Sequence, residues 1–404
     1  MAAWLVVAEH ARSLIFVDYG DLKSPGVLAK GFYFLTGFGH EAVIVFFVIS
    51  GYLVGSKVWS LYREGRFGWR RYLADRASRL YAVLLVALLL GAAMDWTGYL
   101  FFNKFGLYNQ GYQGSIAVLG AAPIDRMGWR DFLVNAFFLQ TIAGPTFGGN
   151  GPLWSLAYEW WYYILFPGIL LVVFRKSLAG VITGAVLTLL LLFVLPSDII
   201  WLFGIWFFGV AAAIVPPMAE RRSLDSGGRR TEGEGENRKV ESANGQVLHG
   251  GKLNEEMEKA QFGRLVFLGA SVLLFLGILV LARIEVLKVP YAWQYLLGFA
   301  YALVIVSLAH GASRLPLARS STYLADFSYS VYLIHFPVLL FVLAVGFEFF
   351  GFGIRMPFSF AALAWYGGVF GIAIFVSWIV SRLTEARTAN LRAVFYKIFC
   401  VGAR

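Results

Sequence analysis

Met1–Val17 reads MAAWLVVAEHARSLIFV, an apolar stretch with Glu9, His10 and Arg12 set inside it. A charged residue at the centre of a membrane helix costs about 2.5–3.5 kcal/mol on insertion scales. Such residues face a protein interior or a water-filled cavity and mark function. The stretch therefore needs other helices around it, and what the rest of the chain supplies decides the fold.

The rest of the chain is built for a membrane. Of 404 residues, 59% are hydrophobic, 17% aromatic and 14% charged, where soluble domains carry about 25% charged residues. A mean hydropathy of +0.68 agrees. The class is an all-α polytopic membrane protein. The net charge of +10 is read as positive-inside bias, and no nucleic-acid partner is expected. One cysteine, Cys400, excludes an intrachain disulfide and a cysteine redox pair. No small-residue cleavage site follows the first apolar core, so it reads as a retained span.

A span needs about 20 predominantly apolar residues. Candidates lie near 1–17, 42–62, 79–95, 153–174, 178–195, 199–215, 264–282, 292–309, 327–346 and 361–381, which makes ten transmembrane helices. A shorter apolar patch at 131–142 is expected to be interfacial or re-entrant. With the N-terminus inside, 25 of the 34 Lys and Arg residues fall on cytoplasmic loops and the C-terminal tail, against 9 elsewhere. That split favours N-in and C-in.

Residues 216–262 are rich in Gly and charge. They are expected to form a flexible cytoplasmic linker between helices six and seven, with His249 inert. Residues 1–404, the linker included, read as a single membrane domain with no appended soluble catalytic domain. The external segment Asp95–Gly151 carries Tyr99, Tyr108, Tyr112 and Trp129, expected chiefly as interfacial anchors and alternatively as sugar-stacking faces.

Five stretches carry chemistry-bearing residues. In the first, His10 is the acid–base candidate, because an unperturbed pKa near 6.5 suits proton transfer at neutral pH. About ten residues at 1.5 Å each put it roughly 15 Å from the inner end. A site there meets a cytosolic donor from one side and an external or lipid-linked acceptor from the other. In FFVISGYLVG, Ser50 and Gly51 permit close helix approach, with packing favoured over catalysis for Ser50. In RASRLY, Arg76 and Arg79 share one helix face; they either anchor the inner rim or hold phosphates.

In PLWSLAYEWWYYILFP, Ser155 and Glu159 lie on one face, one turn apart. Glu159 needs a partner there, with His10 or an arginine of another helix as candidates. In SYSVYLIHFP, His335 is as readily a packing residue as a catalytic one, and Pro337 is expected to kink the helix after it.

Together, and in this order, VVAEH, FFVISGYLVG, RASRLY, PLWSLAYEWWYYILFP and SYSVYLIHFP resemble acyltransferase family 3, the integral membrane acyltransferases that decorate polysaccharides. The resemblance covers the chain apart from the linker. It implies ten spans in a cell inner or plasma membrane. It also implies transfer of an acyl group, usually acetyl, from acyl-CoA to a hydroxyl of a carbohydrate or lipid-linked glycan.

Residue by residue, it implies that His10 is catalytic and that Arg76 and Arg79 face the acyl-CoA co-substrate. Ser50, Gly51 and Glu159 match further family elements, Glu159 following the pair Trp154-Ser155. Glu159 is expected to act with His10, while Trp154, Ser155 and His335 are expected to bind substrate or support the site. No metal is expected. The family's arginine eleven residues before the histidine would fall before Met1, so an upstream start is expected. His10 would serve as general base or as acyl carrier. The alternative is a transporter of a glycan or lipid-linked intermediate, with the buried His and Glu as proton relays; it predicts an internal repeat, and none is evident.

Overall fold

The computed structural model describes residues 2–111, 116, 119–174, 177–215, 240–241, 247–248, 250–283, 289–311 and 327–400. All ten apolar stretches fall on helices. These are α1 (Ala2–Ile15), α3 (Gly39–Arg63), α4 (Trp69–Phe101), α6 (Trp154–Phe174), α7 (Leu178–Val194), α8 (Ser197–Ile214), α9 (Gly250–Arg283), α10 (Ala292–Gly311), α11 (Ser328–Phe350) and α12 (Phe360–Leu383). Two further helices, α2 (Val27–Leu35) and α13 (Thr388–Cys400), were not expected, and the short patch is α5 (Trp129–Ala136). Val240–Glu241 pairs antiparallel with Val247–Leu248.

The fold is all-α, and among the described residues eight segments are long and apolar enough to cross a membrane. A count of ten would need α1 and α7 as well. They have 14 and 17 residues, against the roughly 20 that a crossing takes. Most of the expected linker lies outside the described residues, His249 included, while its end from Gly250 onward belongs to α9.

α4 is longer than its apolar run. Its 33 residues span about 50 Å, so Arg70, Arg71, Arg76 and Arg79 sit on the helix itself. Asp95 lies in its last turns and accepts the Gly149 backbone N–H at 2.7 Å, tying down the following loop. Tyr108 is fully buried with its ring against Gly98, so it is a core residue and not an interfacial anchor. Trp129 is exposed and Tyr99 partly so; Tyr112 lies outside the described residues.

The chain divides into two compact units. The first comprises Met1–Phe46, Ser60–Phe203 and Leu317–Arg404, with α11 at its centre. Fourteen of the 23 residues of α11 are buried, and it packs on α1, α4 and α12. Lipid tails are as apolar as leucine, so helix association in a membrane depends on close packing and interhelical hydrogen bonds. α11 has several of the latter. Tyr329 Oη–H donates to the Leu80 carbonyl at 3.0 Å, and Tyr332 Oη shares a 2.6 Å bond with Ser155 Oγ. At its first turn, where backbone N–H groups lack helical acceptors, Glu385 accepts from Ser330 N–H at 3.2 Å and Ser330 Oγ–H at 2.8 Å.

The end of α1 is held by a loop. Met356 N–H donates to the Ile15 carbonyl at 2.6 Å and Val17 N–H to the Met356 carbonyl at 3.0 Å. Arg355 spans Asp18 and Asp21 at 2.9 and 3.3 Å. α13 lies along the start of α4, where Asp75 accepts Tyr396 Oη–H at 2.6 Å and pairs with Arg392 at 3.4 Å.

The second unit comprises Phe47–Trp59 and Gly204–Pro316. Here α3 and α8 cross backbone to backbone: a Cβ on Gly51 would overlap the Trp206 carbonyl, and one on Gly209 the Val48 carbonyl. Trp206 Nε1–H donates to Ser50 Oγ at 3.3 Å. α9 and α10 pair through a buried Ser271–Ser307 hydroxyl bond of 3.1 Å.

Candidate active site

The site is built on α1. Val6, Glu9, His10 and Ser13 recur at the spacing that puts residues on one helix face, and this face lines a cavity of about 430 Å³. The opposite face, with Val7, Ala11, Leu14 and Ile15, is buried. Gly39, His40 and Val43 from the start of α3, Gly151, Pro152 and Trp154 before and at the start of α6, and Tyr332 and Phe336 of α11 complete the lining. The size falls within the roughly 300–1,000 Å³ of small-molecule sites.

The three ionisable groups of α1 have separate roles. Glu9 faces Arg12 at 3.8 Å, and its side chain lies where a Cβ on Gly39 would sit, so α3 enters close beside it. Arg12 also lies over the Tyr33 ring, 5.3 Å from its centre. His10 meets His335: Nδ1 of His10 is 2.9 Å from Nε2 of His335. The rings are within 7° of parallel with centres 5.2 Å apart. That separation is the nitrogen–nitrogen distance plus the two ring radii, so the rings meet edge to edge in one plane. His335 is fully buried and has its Nδ1 2.9 Å from the Val331 carbonyl one turn back. The Phe336 ring stands edge-on to His10, centres 5.0 Å apart and planes at 88°.

The other expected site residues divide. Trp154 lines the cavity, and Ser155 is one step behind it, holding Tyr332. Glu159 is buried and outside the cavity lining. It accepts the Tyr163 hydroxyl of the next turn. Arg76 lies over the faces of Tyr163 and Tyr72, at 5.8 and 5.9 Å from the ring centres, so a guanidinium and a carboxylate meet the same tyrosine. Arg79, three residues on, is exposed. Ser50 and Gly51 lie in the second unit, where they pack against α8.

Sequence reasoning missed Ser13, His40, Tyr332 and Phe336 as lining residues, and it left His335 undecided. The spacing of Tyr332 and Phe336 around His335 gave one signal. Nothing in the chain before α3 pointed to His40.

The acyltransferase-domain profile of acyltransferase family 3 matches residues 1–382. The chain belongs to acyltransferase family 3. A Haemophilus influenzae protein described as uncharacterized is 26% identical over 152 residues, 37% of this chain and 57% of that protein. The aligned segment thus spans little more than half of that relative. No solved structure matches. Family and helices together make the chain a multi-pass membrane member of acyltransferase family 3, with His10 on the cavity wall and His335 bonded to it from behind.

Proposed function

We propose that this family 3 protein transfers an acyl group, acetyl in the first instance, from acyl-CoA to a hydroxyl of a carbohydrate or lipid-linked glycan. We place it in a cell inner or plasma membrane, with both termini cytoplasmic. The observation that carries the reading is His10 on the wall of the cavity with Nδ1 engaged by His335, which leaves Nε2 as the nitrogen able to meet a substrate.

In this reading Nε2 of His10 takes the proton of the acceptor hydroxyl as its oxygen attacks the thioester carbonyl. The carbon–sulfur bond then breaks, and the thiolate leaves with the proton returned from His10. The products are an O-acyl ester and free CoA. A base positioned within reach of the hydroxyl contributes about 10²–10⁴ in rate. Trp154 and Tyr332 offer aromatic faces to an acceptor ring, with Tyr332 held by Ser155. Arg76 and Arg79 bind CoA phosphates at the start of α4. Glu159 is a positioning residue that holds Tyr163, and Tyr163 in turn supports Arg76.

The test is labelled acetyl-CoA supplied to membranes with and without the gene product, followed by mass spectrometry of the surface glycans. The expected result is an alkali-labile acetyl increment dependent on the gene. Identical glycans would overturn the reading.

A further inference from the structure

We propose that His335 is a positioning residue for acyl transfer. It fixes His10 in the tautomer with the proton on Nδ1, so that Nε2 is the free base, and the Val331 carbonyl sets that polarity. The inference rests on the reading of His10 as base.

A carbonyl oxygen accepts and cannot donate, so the 2.9 Å contact from His335 Nδ1 to the Val331 oxygen requires a proton on Nδ1. A neutral imidazole with its proton there has a lone pair on Nε2. That lone pair faces His10 Nδ1 at 2.9 Å, and the edge-to-edge, near-coplanar rings aim it in the plane where an N–H must lie. His10 therefore donates from Nδ1, and its own lone pair is on Nε2.

The reverse polarity fails on each count. A His335 with its proton on Nε2 alone would set two lone pairs, Nδ1 and the Val331 oxygen, against each other at hydrogen-bond distance. A His335 protonated at both nitrogens would be a cation at a fully buried position, with the Phe336 ring beside it. On α1, Glu9 and Arg12 face each other at 3.8 Å. The Tyr332 hydroxyl is held by Ser155.

The arrangement also favours the transition state. As His10 Nε2 gains the substrate proton, the ring becomes a cation and its Nδ1–H bond to His335 becomes charge-assisted, which strengthens it. An interaction stronger in the transition state than in the ground state raises kcat. The same division of labour operates in serine hydrolases, where a wrong-tautomer histidine costs about 10⁴ in kcat. A neutral acceptor stabilises the imidazolium less than a carboxylate does, so a loss of about 10²–10³ is expected here.

Two measurements test it. First, kcat and KM are determined for purified wild-type, His335→Gln and His335→Leu proteins, with acetyl-CoA and surface polysaccharide from the source organism. A glutamine oxygen reaches the place of Nε2 and can accept from His10, so Gln should retain most of kcat. Leu, of similar bulk with no acceptor, should lose about 10²–10³ with KM little changed. Equal kcat for Gln and Leu, whether high or low, would overturn the proposal.

Second, ¹⁵N spectra of histidine-labelled wild-type protein, assigned with His10→Gln and His335→Gln, should show both rings protonated on Nδ1 and bare on Nε2. A proton on Nε2 of resting His10 would overturn the proposal whatever the variants do. Full activity of His10→Ala would instead defeat the underlying base reading, so the two failures are distinguishable.

Discussion

Asn150 donates from Nδ2 to the Leu333 carbonyl at 2.9 Å, and Leu333 is the residue four before Pro337. A proline has no N–H, so its i−4 carbonyl is left without a helical donor. The loop leading to α6 supplies the missing bond two residues before His335. The helix continues through the proline, from Ser328 to Phe350, and the side chain that repairs it lies beside the cavity residues Gly151 and Pro152.

Replacing Asn150 with leucine should therefore orphan a buried carbonyl, which costs about 1–3 kcal/mol. A lower melting temperature in detergent is the expected result. Pro337→Ala restores a backbone donor to Leu333 and should recover stability in the Asn150→Leu background. An unchanged melting temperature in the single variant would show that the bond contributes nothing.

At the α3–α8 crossing, Gly51→Ala should destabilise more than Ser50→Ala. The alanine methyl meets the Trp206 carbonyl, and overpacking of this kind costs about 1–3 kcal/mol. Loss of the Ser50 hydroxyl removes one acceptor from the Trp206 indole, worth about 1 kcal/mol. Thermal melts and membrane yield of the two variants check the order. Chemistry at Ser50 would instead appear as a kcat loss in a fully stable Ser50→Ala protein.

Arg76→Ala should act on donor binding. Hydrogen bonds to charged groups contribute about 1.5–3 kcal/mol, so KM for acyl-CoA should rise roughly tenfold to a hundredfold. Binding lost equally from ground and transition states leaves kcat nearly unchanged. Glu159→Gln keeps an acceptor for Tyr163 and should raise the same KM by less. Steady-state kinetics with varied acetyl-CoA decide it, and a kcat defect in Glu159→Gln at unchanged KM would place Glu159 in the chemistry itself.

The helical class and all ten helix locations were legible in the sequence because apolar runs near 20 residues have few other uses. What hydropathy did not show were the polar extensions of those helices. The expected span began at residue 79 with Arg76 and Arg79 on one face of its start, yet the helix begins ten residues earlier and takes in Arg70 and Arg71 as well, since Arg and Ala propagate a helix as well as Leu does. The short helices α2 and α13 lie below any span threshold. Within the site, His10 stood out because an ionisable group in an apolar stretch is costly. His335 did not, because only a tertiary contact between residues 325 apart separates a packing histidine from one that grips a base. Glu159 stood out on the same burial argument, and the sequence did not show that the Tyr163 hydroxyl on the next turn of its own helix donates to it.

The central claim is that His10 is the base for acyl transfer. Its most direct test is the kcat of purified His10→Ala against wild type, with labelled acetyl-CoA and surface polysaccharide as substrates and matched melting temperatures. The account predicts a fall of about 10²–10⁴ with KM for acetyl-CoA preserved. A stable His10→Ala protein that turns over at the wild-type rate would contradict it.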